Sequence, residues 1–316
     1  MNRILSEKNE EKESIHIPVL FAESIDALNI NPKGIYVDGT LGGAGHAEAI
    51  VGKLEKSGTF IGIDVDIDAI KRAQTRLESY PCQKYFIHDN FRNLDSILSK
   101  IKIESVSGIL LDLGWSSFQI DDASRGLSFI NDGPLDMNLS KGLDAERVTA
   151  YEIINSWEES TLADIFYGYG DEVKARVIAR HIVSVRKAQP IATTHQLAQV
   201  VIEALFPKKV ASNKDAYFKI HPATKVFQAL RIAVNDELQT VTDAIHVGIS
   251  KLKNGGRFAI ITFHSGEDRI VKHLFKSYVD EGKIKLITKK PLSPTDEEVR
   301  ANPRARSSKL RIIEKL

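Results

Sequence analysis

The chain has 316 residues, 42% hydrophobic and 27% charged, an ordinary composition for a soluble globular protein with room for one large core or a core with an inserted subdomain. No apolar run reaches the roughly 18–20 residues of a membrane helix, "MNRILSEKNEEKES" at the N-terminus lacks a signal peptide's apolar stretch, and the single cysteine, Cys82, excludes disulfide scaffolds and cysteine-based zinc sites and fits a reducing cytoplasm. The net charge of +1 is unevenly spread: residues 171–231 carry 11 Lys and Arg against 4 Asp and Glu, residues 283–316 carry 10 against 4, and the rest of the chain is left at −12. Two basic regions on an acidic body suit either a polyanionic partner or solvated helix faces.

In chain order, residues 1–14 read as a disordered tail and "FAESIDALN" as a short helix. "GIYVDGT", "GTFIGIDVD", "KYFIH" and "SVSGILLDLG" are four short apolar runs that predict strands. "AEAIVGKL", "DAIKRAQTRLESY" and "NLDSILSKI" predict the helices between them, with Asp68 as a helix cap. Strands alternating with helices predict a doubly wound parallel sheet whose strand ends meet along one edge. The rhythm breaks after Gly114. Residues 115–137 read as loop, and then come "AYEIINSW", "TLADIFYGYG", "VKARVIARHIVSVR" and "THQLAQVVIEALF", all at helical spacing. Thr193 and Gln196 form a capping-box pattern before the last of these. One long helix ending at "KLKNGG" follows, and then "GRFAIITFHS" resumes the sheet. Ser265 and Asp268 suggest a cap for "EDRIVKHLFKSYV", and "KIKLITKK" and "KLRIIEKL" close the chain as strands. The expected organisation is an α/β domain over 15–120 and 222–316 with an all-helical insertion at 121–221.

The densest chemical signal is "VDGTLGGAGH", residues 37–46, with four glycines directly after the first strand. A bare backbone between strand and helix lets a nucleotide-like ligand approach closely. The dinucleotide pattern G-x-G-x-x-G is incomplete, because Gly43-Ala44-Gly45 runs into His46, Ala47 and Glu48, and no Gly-Lys-Ser/Thr of a P-loop follows. A D-x-x-x-G-G-x-G run suits S-adenosylmethionine, which brings no phosphate; Asp38 would support the loop or accept from the ligand ammonium. Asp64 closes the second strand, where a carboxylate can take both ribose hydroxyls of an adenosine. That role serves NAD and S-adenosylmethionine alike. Phe91, after the third strand, is placed to lie against adenine, with core packing as the alternative; His88 is expected to point into the sheet. Asp112 ends the fourth strand, with Ser116, Ser117 and Gln119 beside it. No G-x-S-x-G elbow and no H-x-x-x-H is present, so neither a serine hydrolase nor a metal catalyst is expected. A nicotinamide enzyme and a non-catalytic RNA-binding protein are the competing classes.

"HIPVL", "DGTLGGAGH", "GILLDLGWSSFQIDDASRGLSF", "DGPLDM", "HPATKVFQALRIAVNDEL", "FHSGEDRIVK" and "NPRARSSKLRI", in this order from His16 to nearly the C-terminus, resemble the RsmH/MraW family of S-adenosylmethionine-dependent 16S rRNA (cytosine-N4)-methyltransferases. The resemblance implies a Rossmann-like class I methyltransferase sheet, S-adenosyl-L-methionine as cofactor and a decoding-site cytidine of 16S rRNA as target, within the small ribosomal subunit and in the cytoplasm. It also implies an insertion that recognises RNA. Carried over by position, the cofactor contacts fall on Ala44, Gly45, His46, Asp64, Phe91, Asp112 and Gln119. The Asn/Asp-Pro-Pro-aromatic motif of many amino-methyltransferases is missing, so Asp112 or a nearby serine, Ser116, is left to act on the amine. The family usually has Val and Pro where this chain has Trp115 and Phe118, often has a small residue near Asp89, and can be longer between "ITKKPLSP" and "NPRARSS". A homodimer stays open.

Overall fold

The computed structural model describes residues 18–143, 147–207 and 221–316. The N-terminal tail and Lys208 and Lys209 of the basic region 171–231 lie outside the described residues.

The body is a seven-stranded sheet. Helix α1 (Phe21–Ala27) precedes β1 (Ile35–Asp38), and α2 (Gly45–Val51), β2 (Thr59–Asp64), α3 (Ile67–Arg76), β3 (Gln83–His88), α4 (Leu94–Lys100) and β4 (Val106–Asp112) follow in strict alternation. After the helical region come β5 (Leu252–Thr262), β6 (Ile284–Leu286) and β7 (Lys309–Lys315). The order across the sheet is β3-β2-β1-β4-β5-β7-β6. The first five of these strands run parallel, and β7 is antiparallel to both its neighbours. Every residue of β2 is buried, as expected for a strand covered on both faces. One apolar layer under the sheet contains Tyr36, Phe60 and Leu110 and the other contains Ile61, Ile109 and Phe258, so alternate residues of one strand feed opposite faces. The strand order reverses between β1 and β4. Ligands of open α/β sheets bind beyond the carboxyl ends of the strands at such a point.

A third apolar cluster is separate from the sheet. It is built by α6 (Ala150–Ser156), α7 (Glu159–Gly168), α8 (Ala175–Arg186) and α9 (Thr194–Leu205) around Ile153, Phe166, Ile178 and Leu197. It also takes Val226, Phe227 and Leu230 from α10 (Thr224–Asn235). The helical packing therefore runs past residue 221, because α10 turns its apolar stripe to the insertion rather than to the sheet.

Local chemistry explains several other departures from the sequence expectations. The long helix before β5 is two, α10 and α11 (Glu237–Lys251), broken at Asp236, which takes the left-handed backbone (φ 48°). Asn235 pins the break by accepting from Leu139 N and donating to Met137 O. The cap of α3 is Asp66, which accepts from Asp68 N, while Asp68 pairs with Lys141. Helix α12 (Ser265–Asp280) is capped at His264 with Glu267 rather than at Ser265 with Asp268. Asp268 instead binds Lys309 and Arg311 of β7. The capping box of Thr193 and Gln196 is present as read. The stretch after Gly114 is not all loop: a short helix α5 (Ser117–Asp121) forms there. Among the described residues no helix is long and apolar enough to cross a membrane.

Candidate active site

The carboxyl ends of β1, β2 and β4 bring Asp38, Asp64 and Asp112 around the glycine loop. Asp38 accepts from Thr40 N at 3.0 Å, and the Thr40 hydroxyl accepts from Asp112 N at 2.7 Å, so Thr40 ties the ends of β1 and β4 together. Gly42 adopts a left-handed backbone (φ 46°), and its N–H donates to Asp64 Oδ2 at 2.8 Å; Asp64 Oδ1 accepts from Asp66 N at 2.8 Å. The glycines answer to different needs. A Cβ on Gly39 would fall 2.4 Å from Leu111, and one on Gly45 would fall 2.4 Å from Pro18, so these two are bare because the protein itself fills the space. Ala44, fully buried at the start of α2, is held at φ 62°, a backbone that a non-glycine residue adopts only when its surroundings enforce it.

Crowding acidic groups in a desolvated cleft raises their affinity for protons. Burial pushes Asp38 up to about 7, and the nearby Asp64 adds to the effect. Burial pushes Asp64 up to about 6 despite the N–H donors of Gly42 and Asp66. Asp112 is raised well above the ordinary carboxylate range by burial and then by the charges of Asp38 and Glu267. The basic group beside Asp112 is His46, whose Nδ1 lies 3.6 Å from its Oδ2 and whose ring stacks on Phe21. The other oxygen, Oδ1, is buried with no hydrogen-bond partner among the described residues.

Phe91 begins a short helical turn after β3. It is half-buried, and its side chain packs beneath Gly39 against the apolar layer of Ile63 and Leu111. His88 Nε2 donates to the Val65 carbonyl oxygen at 3.1 Å, on the far side of β2 from Asp112. Ser116 and Gln119 cap α5 reciprocally: Gln119 N donates to Ser116 Oγ, and Ser116 N donates to Gln119 Oε1. Gln119 Nε2 also reaches Leu139 O at 3.4 Å. The S-x-x-Q spacing that announces such a cap was available in the sequence at 116–119.

A further polar group lies at the β5 end of the cleft. Glu267 accepts from Phe263 N at 2.8 Å and lies 3.2 Å from His264 Nε2. Burial pushes Glu267 up, but His264, the Phe263 N–H and Arg231 together hold it below its ordinary value. Arg231 is itself held by Glu237 through two hydrogen bonds of 2.7 and 2.9 Å. None of these four residues was singled out from sequence. Their signal was the pair of motifs around 221–238 and 263–272, which brings α10 and the β5–α12 turn together. The oxygens and nitrogen of Glu237, His264 and Glu267 lie within 4.8 Å of one another, and Glu237 is already ion-paired with Arg231.

Sheet order, switch-point cleft and a glycine loop between two strand-end carboxylates make this a Rossmann-like α/β fold with a site for a nucleotide-like ligand. The chain belongs to the MraW methylase family, whose model matches residues 13–316. Among curated relatives, the ribosomal RNA small subunit methyltransferase H of Clostridium botulinum (strain Loch Maree / Type A3) is 46% identical over 95% of this chain and 99% of its own length. The proteins of the same name from Paenibacillus sp. (strain JDR-2) and Clostridioides difficile (strain 630) are 44% and 43% identical over the same shares.

Proposed function

We propose that the chain transfers a methyl group from S-adenosyl-L-methionine to N4 of a decoding-site cytidine in 16S rRNA, acting on the small ribosomal subunit in the cytoplasm. The coarser part of this reading, a methyltransferase of small-subunit ribosomal RNA using S-adenosylmethionine, rests on the family and on relatives matched over nearly their whole length. The observation that carries the chemistry is the β1–β4 switch point, where the half-buried carboxylate of Asp112, whose Oδ1 has no hydrogen-bond partner among the described residues, lies beside His46 at the end of the glycine loop.

The residues present fit the cofactor. Asp64 is set to take the ribose hydroxyls, since each of its oxygens has one backbone donor and capacity for a further bond. Ala44, Gly45 and His46 form the loop against which the methionine part lies. The part-exposed Phe91 borders the adenine position, and Gln119 closes the far side. Burial, with a smaller contribution from one another's charge, raises the proton affinity of these acids, and a cationic ligand favours their ionised form. Bound there, S-adenosylmethionine supplies an electrophilic methyl group on its sulfonium.

The amine of cytosine is a weak nucleophile because its lone pair is delocalised into the ring. In the displacement the N4–carbon bond forms, the carbon–sulfur bond breaks, and N4 must shed one proton. Asp112 is the acceptor for that N–H. Ser116 is spent on capping α5, whereas Asp112 Oδ1 has nothing to accept from among the described residues. Its raised proton affinity makes its carboxylate form a better base than an exposed aspartate. Alignment supplies most of the acceleration, since good orientation is worth roughly 7–11 kcal/mol. The target base leaves its stack at a cost of a few kcal/mol unless it is already splayed. The helical insertion and the basic C-terminal segment hold the RNA.

The test is mass spectrometry of rRNA nucleosides after incubation of small ribosomal subunits with methyl-labelled S-adenosylmethionine. Label in N4-methylcytidine is the expected result, and label only in another nucleoside would overturn the assignment of the target atom.

A further inference from the structure

The chain leaving β4 carries two aromatic rings at the mouth of the cleft. Phe118 is 44% exposed and Trp115 is part-exposed. Single exposed rings need no explanation, but here each is faced by a guanidinium from a different element. Arg72 of α3 lies 4.4 Å from the Phe118 centroid, and Arg304, in the helical turn Pro303–Ser307, lies 5.6 Å from the Trp115 centroid. Both cations are tied to the cleft. Arg72 donates to Gly42 O of the glycine loop at 3.4 Å, and Arg304 donates to Ser117 Oγ between the two rings. The loop itself borders the glycine loop, since a Cβ on Gly42 would stand 3.5 Å from Ser116 Cβ. Trp115 is three residues from Asp112, and Arg304 belongs to the segment of net charge +6.

We infer that Trp115 and Phe118 are a stacking platform for unpaired nucleobases beside the target nucleotide, with Arg72 and Arg304 meeting the adjoining phosphates. The inference rests on the reading of the chain as an RNA methyltransferase. Every base has a π face, so aromatic rings bind single-stranded RNA with little regard to sequence, and cations next to them add both cation–π attraction and phosphate pairing. The platform holds the strand on either side of a base that must be turned out towards Asp112.

The test uses the full-length protein with Phe118→Leu and Trp115→Leu, which keep apolar bulk but lose the π face, and Phe118→Tyr, which restores it. Base–aromatic stacking predicts a rise in KM for small-subunit RNA of about five- to a hundredfold per ring, with affinity for S-adenosylhomocysteine unchanged and near-wild-type KM in Phe118→Tyr. In a Trp157→Phe background Trp115 is the sole tryptophan, and its fluorescence should be quenched by an unpaired hexanucleotide of cytidine and uridine. Wild-type KM in both leucine variants, an equal loss of S-adenosylhomocysteine affinity (a strap over the cofactor), or no quenching by the hexanucleotide would overturn the platform. Failure of the unaltered protein to label rRNA would overturn the methyltransferase reading instead, and the quenching experiment does not depend on it.

Discussion

The two sides of the cleft are built differently. On the β1–β2 side the acids are met by backbone N–H groups: Asp64 by those of Gly42 and Asp66, Asp38 by that of Thr40, and Asp66 by that of Asp68, with the Arg125 side chain added at 2.7 Å. On the β4–β5 side Asp112 has His46 at 3.6 Å, the like charge of Glu267 in range and one oxygen with no hydrogen-bond partner among the described residues. The first side is a frame whose shape is set before any ligand arrives. The second holds an acceptor at a cost, since a buried polar atom left unmade is worth about 1–3 kcal/mol of lost stability. A folded chain keeps such an atom where a ligand completes it. The frame thus suits the part of a ligand that stays still, and the open acceptor suits the group that reacts.

The largest expected effect falls on the open side. Asp112→Asn keeps the shape but removes the proton acceptor, and turnover should fall by about a hundredfold or more while RNA affinity changes little. Turnover and RNA affinity falling equally would erase the distinction between the sides and make Asp112 a binding group.

Next is the pH dependence of the frame. The folded-state affinity of Asp38 for its proton is raised to about 7 from an ordinary 3.8. At Asp38 the folded chain therefore binds more protons than the unfolded chain between these values, so the contribution of this group to stability is full below about pH 4 and falls as pH rises to about 7. At about 1.4 kcal/mol per pH decade the loss is on the order of 4 kcal/mol. Asp38→Asn keeps an oxygen for Thr40 and cannot ionise. In urea unfolding at pH 4, 5.5 and 7, the variant should gain stability relative to the unaltered protein as pH rises. A constant difference at all three would show that Asp38 is not held protonated.

Asp64→Ala comes third. It leaves the strand but frees Gly42 N–H and removes the acceptor proposed for the ribose. Hydrogen bonds to a charged group are worth about 1.5–3 kcal/mol, so S-adenosylhomocysteine should bind roughly ten- to over a hundredfold more weakly. Unchanged affinity by calorimetry in the folded variant would remove Asp64 from the site.

The frame was legible in the sequence and the open side was less so. Strands β1 to β4 announce themselves as short apolar runs that stop at Asp or His, and the βαβ rhythm then fixes where Asp38, Asp64 and Asp112 meet. The sequence is ambiguous where two local devices use the same residues. Ser116 looked like a hydroxyl beside a reactive acid, yet Ser116 and Gln119 satisfy each other at the start of α5. Asp66 and Asp68 are two residues apart, and only tertiary contacts with Arg125 and Lys141 separate cap from surface pair. The left-handed turn at Asp236 depends on bonds from Asn235 to residues 96 and 98 positions earlier, and the network of Arg231, Glu237, His264 and Glu267 joins two segments some 27 to 36 residues apart, relations that no local pattern carries.

The smallest expected effect lies outside both sides and measures how separate they are from the RNA surface. Arg306 is exposed on the same helical turn as Arg304, in the basic C-terminal segment. A phosphate contact there would release about one counterion, so log affinity for single-stranded RNA against log salt should lose about 0.7 of slope in Arg306→Ala. Each such contact counts alone, and the loss should appear at 50 mM salt and shrink towards 200 mM. Affinity for S-adenosylhomocysteine should stay the same across that range, because the acids of the frame are buried and bonded to backbone, where salt screens little. A wild-type slope in the variant would make Arg306 solvated surface. A parallel change in cofactor affinity would mean that the C-terminal turn and the glycine-loop frame act as one unit, coupled through the contacts of Arg304 with Ser117 and of Arg72 with Gly42.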